Sequence, residues 1–272
     1  MNNRIGTMAR LTADRSLAQV RELGLACCQL VSWKPTLWTA DRALATKDES
    51  AETGVRMTSF WAGWPGPKVW DFMEGPSTLG IVPREYRRQR VHVLKRAGEF
   101  ARHLGVPAVI THLGFIPENP SDPLFGQVVA AVREIAEDLQ SQGLEFWFET
   151  GQETPVTMLR LIEAVGTQNL GVNLDPANLI LYGKANPIDA LDILGPLVRN
   201  IHAKDGFYPT EPMSLGREVK VGKGRVRFPE LLRRLEEMGF GGEFIIEREI
   251  SGEEQARDIR DTAGYLDGLL GG

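Results

Sequence analysis

Four short apolar stretches of this chain each end in a side chain able to ligate a metal. Residues 144–151 (Leu-Glu-Phe-Trp-Phe-Glu-Thr-Gly) carry Glu149, 170–175 end at Asp175, 198–202 end at His202, and 243–247 end at Glu247. Three carboxylates and one imidazole suit a hard or borderline divalent ion, Mn²⁺ first, with Mg²⁺, Co²⁺ or Zn²⁺ as alternatives, and do not match a thiolate-rich structural zinc cage. Each residue alone has a plainer reading: a solvated rim carboxylate, a turn-forming Asp before Pro176, a hydrogen-bonded core histidine. The joint pattern, four successive strands each closing on a ligand type in a chain with four histidines, points to one shared ion.

Strand side chains alternate, so Asn173 shares a face with Asp175, Asn200 and Lys204 share one with His202, and Ile245 and Glu249 share one with Glu247. These positions are the expected layer behind the ligands. His112, near the end of an earlier strand, is expected to hydrogen-bond substrate, whereas His92 and His103 fall inside a helix.

The elements that must position these residues alternate strand and helix. Strands are expected at 5–8, 25–31, 55–62, 108–113, 144–149, 170–175, 198–203 and 243–247. Helices are expected from Asp14 to Gly24, then over 39–53, 84–104, 123–142, 154–165, 187–194, 229–238 and 253–270. Eight alternations in 272 residues fit one (β/α)8 TIM barrel of roughly 250 residues, a single domain over 1–272. Its reactive groups would gather at the carboxyl ends of the strands, and ends about 4.8 Å apart can converge on one ion.

One stretch breaks the rhythm. Residues 61–83 hold Trp61, Trp64, Trp70 and Phe72 among prolines and glycines. A loop this long and aromatic reads as a substrate wall contributed by Trp64, or as tryptophans packed on the barrel. A second loop, 206–224, carries Arg217, Lys223 and Arg225, and its Gly222-Lys-Gly224 could cradle a phosphate or could be a solvated basic loop.

A net charge of −5, with 42% hydrophobic and 25% charged residues, fits an ordinary globular chain and gives no general attraction to nucleic acid or anionic membrane. Adjacent Cys27 and Cys28 rarely meet disulfide geometry and read as buried thiols. No signal peptide and no apolar run of the ~18 residues a membrane span needs is evident, so a cytoplasmic protein is expected, with a homo-oligomer open to it.

With these residues in place, the chain resembles the xylose isomerase-like barrel superfamily of sugar phosphate isomerases and epimerases, ketose 3-epimerases, hydroxypyruvate isomerases and inosose dehydratases. The resemblance rests on Phe-Glu149-Thr-Gly, Leu-Asp175-Pro-Ala-Asn178, Ile-His202-Ala-Lys-Asp205, Val-Gly222-Lys-Gly224-Arg-Val-Arg-Phe and Ile-Ile-Glu247. It implies a metal held by Glu149, Asp175, His202 and Glu247, with Glu149 and Glu247 as the acid/base pair and Arg217 reaching a substrate oxygen. Ketose 3-epimerases carry a substrate-binding His three residues after the metal Asp; Asn178 stands there instead, which counts against a free ketohexose.

An ion of this kind would acidify the proton on carbon between a carbonyl and a hydroxyl and stabilise the enediolate left behind. Return of the proton from the other face is epimerisation, return to the neighbouring carbon is isomerisation, and loss of a leaving group is elimination by a dehydratase or lyase. Trp64, His112, Asn178, Lys204 and Arg217 are the expected substrate contacts, and the substrate is expected to be a keto-sugar or its phosphate. A DNA repair endonuclease on a similar barrel would need more histidines and a basic groove, and a non-catalytic sugar-binding barrel would bind without exchanging protons at carbon.

Overall fold

The computed structural model describes residues 2–271. Its strands are β1 (Ile5–Arg10), β2 (Cys27–Ser32), β3 (Arg56–Ala62), β4 (Ala108–Thr111), β5 (Glu145–Glu149), β6 (Leu170–Leu174), β7 (Val198–Ala203), β8 (Asp205–Phe207), β9 (Arg217–Val219) and β10 (Glu243–Ile246). Its helices are α1 (Ala18–Glu22), α2 (Ala40–Thr53), α3 (Gly75–Thr78), α4 (Arg84–Leu104), α5 (Pro123–Ser141), α6 (Pro155–Val165), α7 (Pro176–Leu181), α8 (Leu191–Leu194), α9 (Phe228–Glu237) and α10 (Glu253–Leu270). Eight strands close a parallel barrel in the order β1-β10-β7-β6-β5-β4-β3-β2. The expected (β/α)8 TIM barrel is therefore what forms.

Strand alternation divides the core into two layers. Phe146 and Phe148 of β5, with Phe60 and Val109, face the helices and join the main apolar cluster. Trp147, on the same face as Glu149, packs with Trp61 and Ile110 in a smaller cluster. Trp61 pairs with Ile110 and Ile110 with Trp147 across neighbouring strands, so the three form one level beneath the carboxyl ends. That apolar level lies beneath Glu149 at the end of β5, whereas the buried Asn173 and Asn200 lie beneath the ends of β6 and β7.

Four local expectations are corrected. Asp14 does not cap the first helix: Glu49 of α2 accepts the amides of Ser16, Leu17 and Ala18 at 2.8, 2.7 and 3.0 Å, so the start of α1 is capped from another helix. Asp175 both ends a strand and caps α7, accepting the Asn178 amide at 2.8 Å with Pro176 in the first turn, a helix overlooked because it is only six residues long. The helix expected over 187–194 shrinks to α8, followed by a 3-10 turn at Gly195–Leu197. Within the loop expected over 206–224, β8 and β9 pair antiparallel through Gly206 and Glu218, a ribbon too short to show periodicity.

Asp205, at the start of that ribbon, organises the segment behind it. Its carboxylate accepts the amides of Gly206, Gly222, Gly224 and Val226 at 2.8–3.1 Å. The backbone donors of the Gly222-Lys-Gly224 turn are thus already occupied.

Candidate metal centre

Glu149 ends β5, Asp175 follows β6, His202 lies in β7 and Glu247 follows β10, so adjacency around the barrel delivers all four side chains to one place. One ligand atom from each lies within 4.8 Å of every other. His202 Nδ1 stands 3.3 Å from Glu149 Oε1, 3.2 Å from Glu247 Oε2 and 3.8 Å from Asp175 Oδ2. Glu149, Asp175 and His202 are buried, and Glu247 is nearly so. Thr150 pins the strand ends together, its hydroxyl donating to the Asp175 carbonyl and accepting the Asp175 amide.

This donor set could hold a divalent cation. His202 Nδ1 and Asp175 Oδ2 are buried with no hydrogen-bond partner, and both point into the cluster. Buried polar atoms are normally partnered, and an ion coordinated by both would satisfy them. The opposite ring nitrogen is engaged: Nε2 meets Gln29 Oε1 at 2.8 Å and Asn173 Nδ2 at 3.0 Å. The Gln29 oxygen can only accept and favours a proton on Nε2, whereas the Asn173 amide nitrogen can only donate. Burial opposes the charge of His202, but Glu149 and Glu247 outweigh it and raise its pKa well above normal, and a bound ion would take the place of the Nδ1 proton.

Each glutamate has its own attendants. Glu149 accepts from the indole of Trp61 and from Asn178 Nδ2 at 3.3 Å, and His112 Nε2 lies 3.2 Å away. Burial opposes its ionisation, but His112 and His202 outweigh that and hold it well below the usual carboxylate range. Glu247 faces Lys204 Nζ at 3.3 Å; burial again opposes, and Lys204 and His202 bring its pKa down to about 2. For Asp175 burial prevails and the pKa is raised. Lys204 is buried, also donates to Glu249 at 2.8 Å and Asn178 at 3.4 Å, and its pKa stands well above normal because those carboxylates outweigh burial. His112 is likewise raised, Glu149 outweighing the burial that opposes it.

The structure thus gathers Glu149, Asp175, His202, Glu247, His112, Asn178 and Lys204. Asn173 and Asn200 stand behind His202 as expected, Asn200 donating to Asn173. Trp64 is buried in a cluster with Trp33, Trp61 and Trp70, under the guanidinium of Arg90, and it is the exposed Trp70 whose ring reaches His112 at 5.1 Å. Arg217 lies apart from the cluster, exposed on β9 and stacked 5.3 Å over Phe207. Sequence reasoning missed Gln29, Trp61 and Glu153. Trp61 and Glu153 sit at or just past strand ends, a signal that would have found them; Gln29 reaches the site across the barrel, which no local pattern reveals.

Comparisons with known proteins agree with this architecture. A xylose isomerase domain protein from Planctomyces limnophilus is 34% identical, with a TM-score of 0.93 over 98% of this chain and 96% of that one. A D-tagatose 3-epimerase-like protein shares 20% identity at a TM-score of 0.74, over 97% of both chains. A xylose isomerase-like barrel from Mycobacterium smegmatis, solved with magnesium, shares 19% at 0.70, over 93% of this chain and 86% of that one. Other structural neighbours are sugar epimerases and a probable dehydratase, at 14–17% identity. Among curated proteins, MJ1311 of Methanocaldococcus jannaschii is 26% identical over 188 residues, 65% of this chain and 59% of the relative. YihM of Escherichia coli is 31% identical over 109 residues, 39% of this chain and 32% of the relative. The chain thus spans less than two thirds of the length of either. The family model for xylose isomerase-like TIM barrels matches residues 17–269, and the chain belongs to that family.

Proposed function

We propose that the protein is a divalent-metal-dependent sugar isomerase or epimerase that moves a proton at carbon in a keto-sugar through Glu149 and Glu247. The observation that carries this reading is the placement of the two carboxylates, 3.3 and 3.2 Å from His202 Nδ1 on separate strands. A bound ion, Mn²⁺ in the first instance, supplies Lewis acidity to a carbonyl and its neighbouring hydroxyl.

The protein's own groups handle the proton. His112 beside Glu149 and Lys204 beside Glu247 favour the ionised carboxylates that proton abstraction requires. One takes the proton from carbon; the other, once it has itself taken up a proton from solvent, gives that proton to the opposite face, or the first returns its own proton to the next carbon. The buried Trp61, which donates to Glu149, covers that side and keeps water from the carbanionic carbon, with Trp64 packed behind it. The buried Asn178 and Lys204, with the exposed Trp70, are the proposed groups for orienting the sugar.

Elimination is the second reading. Lys204, donating to both Glu247 and Glu249, could give a proton to a departing hydroxyl, which an epimerase does not need. Incubation of metal-loaded protein in D₂O with ketoses, their phosphates, inososes and 3-keto-glycosides tests both readings. Deuterium at carbon without loss of water is the expected result, and Glu149→Gln or Glu247→Gln should lower exchange at least a thousandfold with the fold intact. Wild-type rates in either variant would overturn the two-glutamate scheme.

A further inference from the structure

Immediately beyond Glu149 the chain buries polar groups that have nothing to bond. Gln152 and Glu153 are 1% and 2% exposed, yet both side-chain atoms of Gln152 and Oε2 of Glu153 lack a hydrogen-bond partner. The hydroxyl of the buried Tyr182 lies near enough to the Gln152 amide for the two to interact but makes no well-aligned hydrogen bond, and Nδ1 of His112 is likewise unpartnered. Such atoms are rare in native proteins because stranding them costs free energy, and they concentrate where a ligand supplies the missing bonds.

They also share one neighbourhood. A Cβ on Gly151 would lie 3.4 Å from His112 Cε1 and 3.6 Å from Asn178 Cβ, which places the turn against the two residues that touch Glu149. Glu153 Oε1 accepts the Gly151 amide, leaving Oε2 free. The Tyr182 ring packs edge-on against Phe72 and Phe115, which fixes where its hydroxyl points.

We infer that Gln152, Glu153 and Tyr182 form a hydroxyl-binding subsite beside the metal centre, taking the uncharged, polyhydroxylated part of the substrate and not a phosphate. The inference rests on the keto-sugar reading of the centre and narrows it. An amide, a carboxyl and a phenol offer donors and acceptors in alternation, which suits hydroxyls that both give and take hydrogen bonds. Burial pushes the Glu153 carboxyl up to about 7, so it donates as readily as it accepts.

Groups that would hold a phosphate are elsewhere or already engaged. The amides of Gly222 and Gly224 are taken by Asp205. Arg217 and Arg225 are exposed and stack on Phe207. Lys184 bears on Glu153 less than His112 does, and its ammonium lies 5.8 Å over the Phe115 ring.

The test is binding of uncharged and phosphorylated ketoses to metal-loaded protein by calorimetry: D-fructose, D-psicose, scyllo-inosose and methyl 3-keto-glucoside against D-fructose 6-phosphate and D-psicose 6-phosphate. At least one uncharged compound should bind, with every phosphate at least tenfold weaker. Gln152→Leu and Tyr182→Phe should each weaken that compound at least tenfold while keeping the metal-induced rise in melting temperature. Removing stranded polar atoms should leave both variants as stable as wild type or more so, which separates a ligand site from a structural one. The inference is overturned if no uncharged compound binds, if a phosphate binds as tightly, or if both variants bind like wild type. Binding in the expected pattern without deuterium exchange would uphold the subsite and remove the proton-transfer reading.

Discussion

Gln29 sets an acceptor against His202 Nε2 and so favours Nδ1 as the ligating nitrogen. It is fully buried in β2, its amide nitrogen donates to Ser59 Oγ at 3.1 Å, and that bond turns its oxygen toward His202 Nε2. Gln29→Leu keeps the volume and removes the acceptor, so the imidazole loses the contact that favours its Nε2-protonated form. Loss of such a partner costs roughly 10–100-fold in metal affinity, to be measured by titration with Mn²⁺; Gln29→Glu, which keeps the acceptor, should retain it. Unchanged affinity in Gln29→Leu would show that the tautomer is set elsewhere. Glu149, Asp175, His202 and Glu247 were legible in the sequence because each interrupts an apolar run at a strand end. Gln29 was not, because β2 is separated from β7 by β1 and β10 and the contact crosses the barrel interior. Side-chain alternation along one strand says nothing of what a distant strand presents opposite it.

At the scale of elements, the loop between β3 and α4 is held by one side chain of the helix that follows. Arg90 is fully buried, and its guanidinium donates to the carbonyls of Pro65, Pro67, Thr78 and Gly80 at 2.6–3.2 Å while stacking on Trp64 and Tyr86. Backbone contact completes the strap: Gly80 has φ +68°, and a Cβ there would sit 2.0 Å from the Leu113 carbonyl oxygen, so the loop lies directly on the segment after β4. Arg90→Met keeps much of the packing but strands four acceptors, each costing roughly 1–3 kcal/mol if it stays buried. We expect a loss of about 3 kcal/mol in urea unfolding and new proteolytic cleavage within 61–83. Unaltered stability would mean that the tryptophan cluster alone holds the loop. The sequence marked this segment as exceptional by its aromatics, but whether they line a wall or fill a core depends on Arg90, whose position in a helix of many charged residues looks like that of any solvated neighbour. The short helix α7 and the ribbon β8–β9 escaped notice for a related reason, since neither runs long enough to show a period.

At the scale of the whole molecule, the ligands come from strands spread over much of the barrel. β5, β6, β7 and β10 are contiguous, and β10 is hydrogen-bonded to β1, so the centre reaches the seam where the first strand meets the last. Without a cation the carboxylates of Glu149, Asp175 and Glu247 repel one another, relieved by His202 and Lys204; an ion bound to all four converts that repulsion into a cross-link between strands far apart in sequence. A ligand that binds the folded state alone stabilises it by RT ln(1 + [L]/Kd), about 2.7 kcal/mol at a concentration of 100 Kd. At about 2–4 °C per kcal/mol for a domain of this size, saturating Mn²⁺ should raise the melting temperature by roughly 5–10 °C, and a chelator should reverse the rise. Among the described residues, no helix is long and apolar enough to cross a membrane. His202→Ala removes one ligand and the imidazole that faces all three carboxylates, so in that variant the rise should vanish, whereas Lys204→Met, which removes the competing cation, should enlarge it. A wild-type rise in His202→Ala would place the stabilising ion somewhere other than the end of the barrel.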